Sequence, residues 1–139
     1  MGIPTKINNA TYTRVIILFL LIHFNVDNIY SQFSLAPNGI TIVCPGASSG
    51  DTGVVDGVTY TAVDRTLLIS KRNAGEDLSL CCTTPVTNMS SMFGNSRNKN
   101  VNHPTYNIAN WDMSNVTNTS NMFFKAWRFN TDIGAWDMS

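Results

Sequence analysis

Apolar positions return in phase along the C-terminal half of the chain. The segment Val86-Thr87-Asn88-Met89-Ser90-Ser91-Met92-Phe93 comes back 30 residues later as Val116-Thr117-Asn118-Thr119-Ser120-Asn121-Met122-Phe123. Likewise Asn110-Trp111-Asp112-Met113-Ser114 comes back 25 residues later as Ala135-Trp136-Asp137-Met138-Ser139. Aligned in this way, Val86, Met92, Phe93, Ile108 and Trp111 match Val116, Met122, Phe123, Ile133 and Trp136, with short polar Asn, Thr, Ser and Asp between them. A period of roughly 20–50 residues marks a repeat architecture, in which a unit that cannot bury its own apolar face stacks on its neighbours. Each unit reads as a brief strand, a turn and a second extended segment. The matched apolar residues form the repeat core, and equal phase implies equal depth. Asn suits such a unit because its side chain bonds turn amides and tolerates left-handed backbone.

Upstream of the repeats the pattern changes. Val15 to Phe24 is a ten-residue apolar run broken only by His23, preceded by Lys6 and Arg14, and Tyr30-Ser31-Gln32 offers a small residue at a cleavage point. Residues 1–31 therefore read as a signal peptide. The run is short of the about 20 residues that a membrane-crossing helix needs, so anchoring by an uncleaved signal helix is the alternative. No Cys stands at the boundary, which argues against a lipid anchor. Residues 32–85 read as a small α+β cap. Ile40-Thr41-Ile42-Val43-Cys44 reads as a strand, and Asp56-Gly57 between β-branched runs signals a two-residue hairpin. Asp64 can cap a helix through Ala74, with Lys71 and Arg72 near its end and Gly75 as its stop. A cap meets a physical need, because a first coil would otherwise expose its apolar face and an open strand edge.

The repeat carries a resemblance. The pattern Phe-Asn-x-Asp-Ile-x-x-Trp-Asp-x-Ser, seen in Phe129 to Ser139, and Asn-Val-Thr-Asn-x-Ser-x-Met-Phe, seen in Asn115 to Phe123, resemble the 25-residue unit of BspA-like bacterial leucine-rich-repeat surface proteins. The match runs from Val86 to Ser139. It departs from the family in Thr119, which stands where Met is usual, and in Tyr106-Asn107-Ile108, two residues shorter than Phe129 to Ile133. The resemblance implies a right-handed leucine-rich-repeat-like solenoid with a short parallel strand per coil, export to the cell surface, and adhesion or ligand contact. The fold expected is thus β-rich, a small α+β cap followed by about two coils over 86–139. Because Ser139 falls inside the motif, the reading is of an N-terminal fragment or a truncated gene product.

Composition narrows the function. The 139 residues carry no net charge and only 13% charged residues, and residues 32–139 hold 7 basic against 8 acidic side chains. There is no electrostatic footprint for nucleic acid. Cys44, Cys81 and Cys82 all lie in the cap. In an exported chain they suggest one disulfide, Cys44 with Cys81 or with Cys82, and one thiol left over. Three cysteines with no nearby His make a poor zinc set.

Other polar features favour structure over chemistry. Asp112, Asp132 and Asp137 recur with the repeat and could be offered to Ca²⁺, but turn capping beside Trp explains them with fewer assumptions. Asn88, Asn115 and Asn118 satisfy the glycosylation sequon as a by-product of Asn, Ser and Thr richness. Trp111 and Trp136 could form a sugar-stacking stripe, yet their apolar neighbours favour burial. The outward binding candidates are Lys125, Trp127 and Arg128, with Arg97 and His103 in the insertion after the first copy. No nucleophile–base–orienter set, paired catalytic carboxylates or phosphate-binding glycine loop is present. The expectation is a non-enzymatic exported bacterial surface scaffold without cofactor or metal, binding proteins or glycans of a host or neighbouring cell. The alternatives are a carbohydrate-binding module, or the front of a larger surface enzyme with its catalytic domain beyond residue 139.

Overall fold

Asp56 and Gly57 take positive φ of 50° and 81°, which is what a two-residue hairpin loop between twisted strands demands. They join β3 (Thr52–Val55) to β4 (Val58–Ala62), antiparallel with Val55 opposite Val58. Ahead of them β1 (Ser34–Leu35) pairs antiparallel with β2 (Ile42–Val43), and after them come α1 (Arg65–Ala74), a 3₁₀ turn at Leu78–Leu80 and β5 (Cys81–Cys82). β5 lies parallel to β4, so the larger sheet runs β3-β4-β5. This computed structural model describes residues 32–94, 107–126 and 129–138.

The strand expected over Ile40–Cys44 shrinks to Ile42–Val43. Asn38 prevents its earlier start, since its Oδ1 accepts from the amides of Ile40 and Thr41 and folds them into a turn. The helix has the bounds that its caps dictate. Asp64 accepts from the Leu67 amide at 2.7 Å, and Gly75, at φ 74°, turns its N–H back onto the carbonyls of Lys71 and Arg72. Such an end suits glycine, which has no Cβ to clash.

Two cores form, and β5 divides them. Strand alternation sends Cys82 to a small cluster with Phe33, Ile42, Cys44, Val55 and Ala62, and Cys81 to a larger one with Leu68, Leu78, Phe93 and Trp111. Cys44 and Cys82 are joined as a disulfide across 38 positions, a closure that stabilises by roughly 3–4 kcal/mol in the chain-entropy model. Cys81 is left as a buried free thiol. Neighbours in sequence thus have opposite fates because successive strand residues face opposite ways.

In the larger core the two repeat copies lie one on the other in phase. Asn88 and Asn118 form a parallel bridge, and the amides of Met89, Ser91 and Phe93 donate to the carbonyls of Asn118, Ser120 and Met122 at 2.7–2.9 Å. Side chains follow the same step. Phe93 and Phe123 stack at 5.5 Å and 8°, and Trp111 and Trp136 at 6.4 Å and 5°. Gly94 admits this close approach, since a Cβ there would lie 2.7 Å from the Asn121 carbonyl oxygen.

Depth is not equal between the copies. Val86, Met92, Phe93, Ile108 and Trp111 are buried, and so is Met122, whereas Val116, Phe123, Ile133 and Trp136 are only partly buried. The first copy is covered on one side by α1 and on the other by the second copy. The second copy has a neighbour on one side alone among the described residues, so phase fixes the face of a side chain and not its depth.

The helix also closes the hydrogen bonding of the first copy. Its carbonyls at Asn88 and Ser90 accept from Nη1 and Nη2 of Arg65, each at 2.7 Å, and that of Met92 accepts from Nη1 of Arg72. These carbonyls point away from the second copy, where an earlier coil would supply amides. Two guanidinium groups take that place, and the planar fork of Arg65 spans carbonyls two residues apart as a single ammonium could not.

Three outcomes test this packing. Phe93→Ala should cost roughly 3–5 kcal/mol in denaturant unfolding, as for core aromatics, and Phe123→Ala clearly less, because its ring is already half in solvent. Arg65→Ala should cost about 1–3 kcal/mol through orphaned carbonyls, with Arg65→Lys restoring only part. Burial pushes the Cys81 thiol from 9.0 up to about 11, with Glu76 and Asp77 adding to the shift and Lys71 opposing it. The folded thiol holds its proton where the unfolded one has lost it, so stability present below about pH 9 should fall by roughly 2–3 kcal/mol by about pH 11. Cys81→Ala should remove that alkaline loss, and native Cys81 should resist alkylation at pH 8.

Candidate interaction surface

Each coil spends its short polar side chains on its own turns. The Oδ1 atoms of Asn88 and Asn118 accept from the amides of Ser90 and Ser120 at 2.9 and 3.0 Å, and Ser91 and Asn121 share positive φ of 54° and 56°. On the other limb, Asp77, Asp112 and Asp132 accept in the same way from Ser79, Ser114 and Gly134. Asp112 is nearly closed to solvent. Its Oδ1 also accepts from Ser114 Oγ, and its Oδ2 from Thr84 Oγ1 at 2.6 Å. The aspartates are thus turn supports, and among the described residues no three His, Cys, Asp or Glu side chains gather as a metal set.

The tryptophans form an internal ladder. Trp111 Nε1 donates to the Leu78 carbonyl and Trp136 Nε1 to the Ile108 carbonyl, both at 2.9 Å. Trp111 is fully buried between Leu78 and Trp136, with no face left for a sugar ring. Leu78 therefore occupies the position of Ile108, one coil earlier. Thr83 likewise matches Met113, because Val86 donates to Thr83 as Val116 donates to Met113. This earlier half-coil, Asp77 to Pro85, was assigned to the cap from sequence, since Cys81 stands where later coils have Trp. The signal was present in the 30-residue offset that aligns Asp77-Leu78-Ser79 with Asn107-Ile108-Ala109.

The outer surface is less spent. Phe124 and Lys125 are exposed, Phe124 by 48%. Lys125 takes a φ of 58° and holds Nζ 5.1 Å from the centre of the Phe124 ring, a modest cation–π contact in an exposed place. Of the expected binding residues, only Lys125 falls among those described; Trp127, Arg128, Arg97 and His103 lie outside them, as do residues 1–31. Reading the sequence alone missed Phe124, whose Phe-Phe doublet with Phe123 has no counterpart in the first copy, where Gly94 follows Phe93. It also missed the roles of Arg65 and Arg72, because a guanidinium bound to carbonyls leaves no mark in periodicity.

A second exposed feature is the outer edge of the second copy. The amides of Thr119, Asn121 and Phe123 occupy the positions of Met89, Ser91 and Phe93, yet among the described residues they make no hydrogen bond. The stack therefore has unlike ends. One is acceptor-rich and closed by arginine, and the other is donor-rich and open. Among the described residues no helix is long and apolar enough to cross a membrane.

No curated protein and no solved structure matches the chain. A family model described as "Mycoplasma protein of unknown function, DUF285" matches residues 65–139. Its match begins at the first residue of α1 and takes in both arginines, the Leu78 half-coil and both copies of the repeat. It covers more than half of the sequence, and the chain belongs to that family, the Mycoplasma proteins of unknown function, DUF285.

Proposed function

We propose that the chain is an exported surface protein of the BspA-like leucine-rich-repeat kind, whose coils build a short solenoid and serve as a non-catalytic scaffold for adhesion or protein binding. One observation carries this reading most directly. The recurring polar side chains are occupied with turns and the recurring aromatic ones with the stack, so what recurs builds the framework and what does not recur is free to bind. Phe124 and Lys125 do not recur. They sit exposed beside the stack, followed in sequence by Trp127 and Arg128, residue types that dominate binding hot spots. Membership of a family built on this repeat, the match of Asn115–Phe123 and Phe129–Ser139 to the BspA-like unit, and the leader-like residues 1–31 all support it.

The test separates binding from folding. Purified protein should bind intact cells or extracted surface proteins, and Phe124→Ala, Lys125→Ala and Trp127→Ala should each weaken that binding while shifting Tm by no more than about 2 °C, as for exposed side chains. Trp136→Ala should act in reverse, lowering Tm first. A glycan panel run alongside would show whether the ligand is carbohydrate. If the variants at 124, 125 and 127 bind as well as the wild type, this face is not the binding face.

A further inference from the structure

We infer that the open edge of the second copy is a docking site for an extended segment of another polypeptide that carries the same repeat motif, added in trans as one more coil. The complement is visible inside the molecule. Where Met89, Ser91 and Phe93 present the same row of amides, the segment Val116–Phe123 occupies it, giving carbonyls at every second residue and laying Phe123 flat on Phe93. One step further out, Thr119, Asn121 and Phe123 present the row again, unpaired among the described residues, beside the partly buried rings of Phe123 and Trp136. The same geometry calls for the same partner, and adding a strand to an exposed edge is a known mode of peptide capture.

The occupant is not a second folded copy of this chain. Its matching edge, the carbonyls of Asn88, Ser90 and Met92, is already held by Arg65 and Arg72, and α1 stands in the way. A segment of the repeat without such a helix has those carbonyls free. The inference does not rest on the ligand-binding reading, since the edge amides and the Phe124–Lys125 surface are different groups.

The probe is an acetylated and amidated peptide of the sequence of residues 115–123, titrated into the full chain. Saturable binding is expected, with hydrogen-exchange protection of the amides of Thr119, Asn121 and Phe123. Thr119→Pro removes one donor that has no partner in the free protein, and should weaken the peptide about tenfold or more, whereas Thr119→Ala keeps the N–H and should bind as wild type. Phe124→Ala and Lys125→Ala should leave peptide binding unchanged. Equal binding of a scrambled peptide, binding without protection of those three amides, or no binding at all would overturn the proposal. So would concentration-dependent self-association abolished by Thr119→Pro, since a second copy would then be the occupant. Should Thr119→Pro lose the native near-UV signal, the amide protection pattern in the wild type still decides.

Discussion

The fold turns on how stacked backbone satisfies its own polar groups. A coil with little regular secondary structure cannot pair its amides and carbonyls internally, and buried groups left unpaired are costly. The chain pairs them between copies, with amides at 89, 91 and 93 meeting carbonyls at 118, 120 and 122. Once that ladder is set, one translation carries every side chain. Phe falls on Phe and Trp on Trp, and each indole N–H reaches the carbonyl of the coil before it.

A ladder of this sort has direction, so its ends need different treatment. The acceptor end is buried against α1, where Arg65 and Arg72 supply donors in place of amides. The helix is thereby more than a lid over apolar surface. Its Leu68 fills the core, its arginines complete the hydrogen bonding, and the small disulfide-linked core around Cys44 and Cys82 sits behind it. The first hairpin is tied to the stack as well, through the Ile42 amide on the Asn110 carbonyl and Asn38 on the carbonyl of Ala135, the matching position one coil on. The donor end has no such closure among the described residues, and its side chains are correspondingly shallower.

Function follows from the same division. Residues that repeat are consumed by the framework: the aspartates hold turns, and Trp111 is sealed within the stack. A surface for recognition has to be assembled from what does not repeat, and Phe124 with Lys125 is the instance in view. This is how a short polar repeat can support varied contacts without altering its core, since substitutions between the recurring positions cost little stability.

Much of this was determined by sequence alone. Hairpin and helix limits followed from Asp56-Gly57, Asp64 and Gly75, because local backbone preference settles such features within a few residues. The phase of the copies, and therefore which side chains share a face, followed from the 25- and 30-residue offsets. Other features depended on contacts between distant segments. Strand alternation in β5, and not the spacing of cysteines, chose Cys82 over Cys81 as the partner of Cys44. The unequal depth of Phe93 and Phe123 came from what lies on each side of a coil, and the extent of β2 from a side chain of Asn38. The arginine closure was decided by tertiary structure alone, since carbonyls have no sequence signature and only folding brings Arg65 within 2.7 Å of those at Asn88 and Ser90.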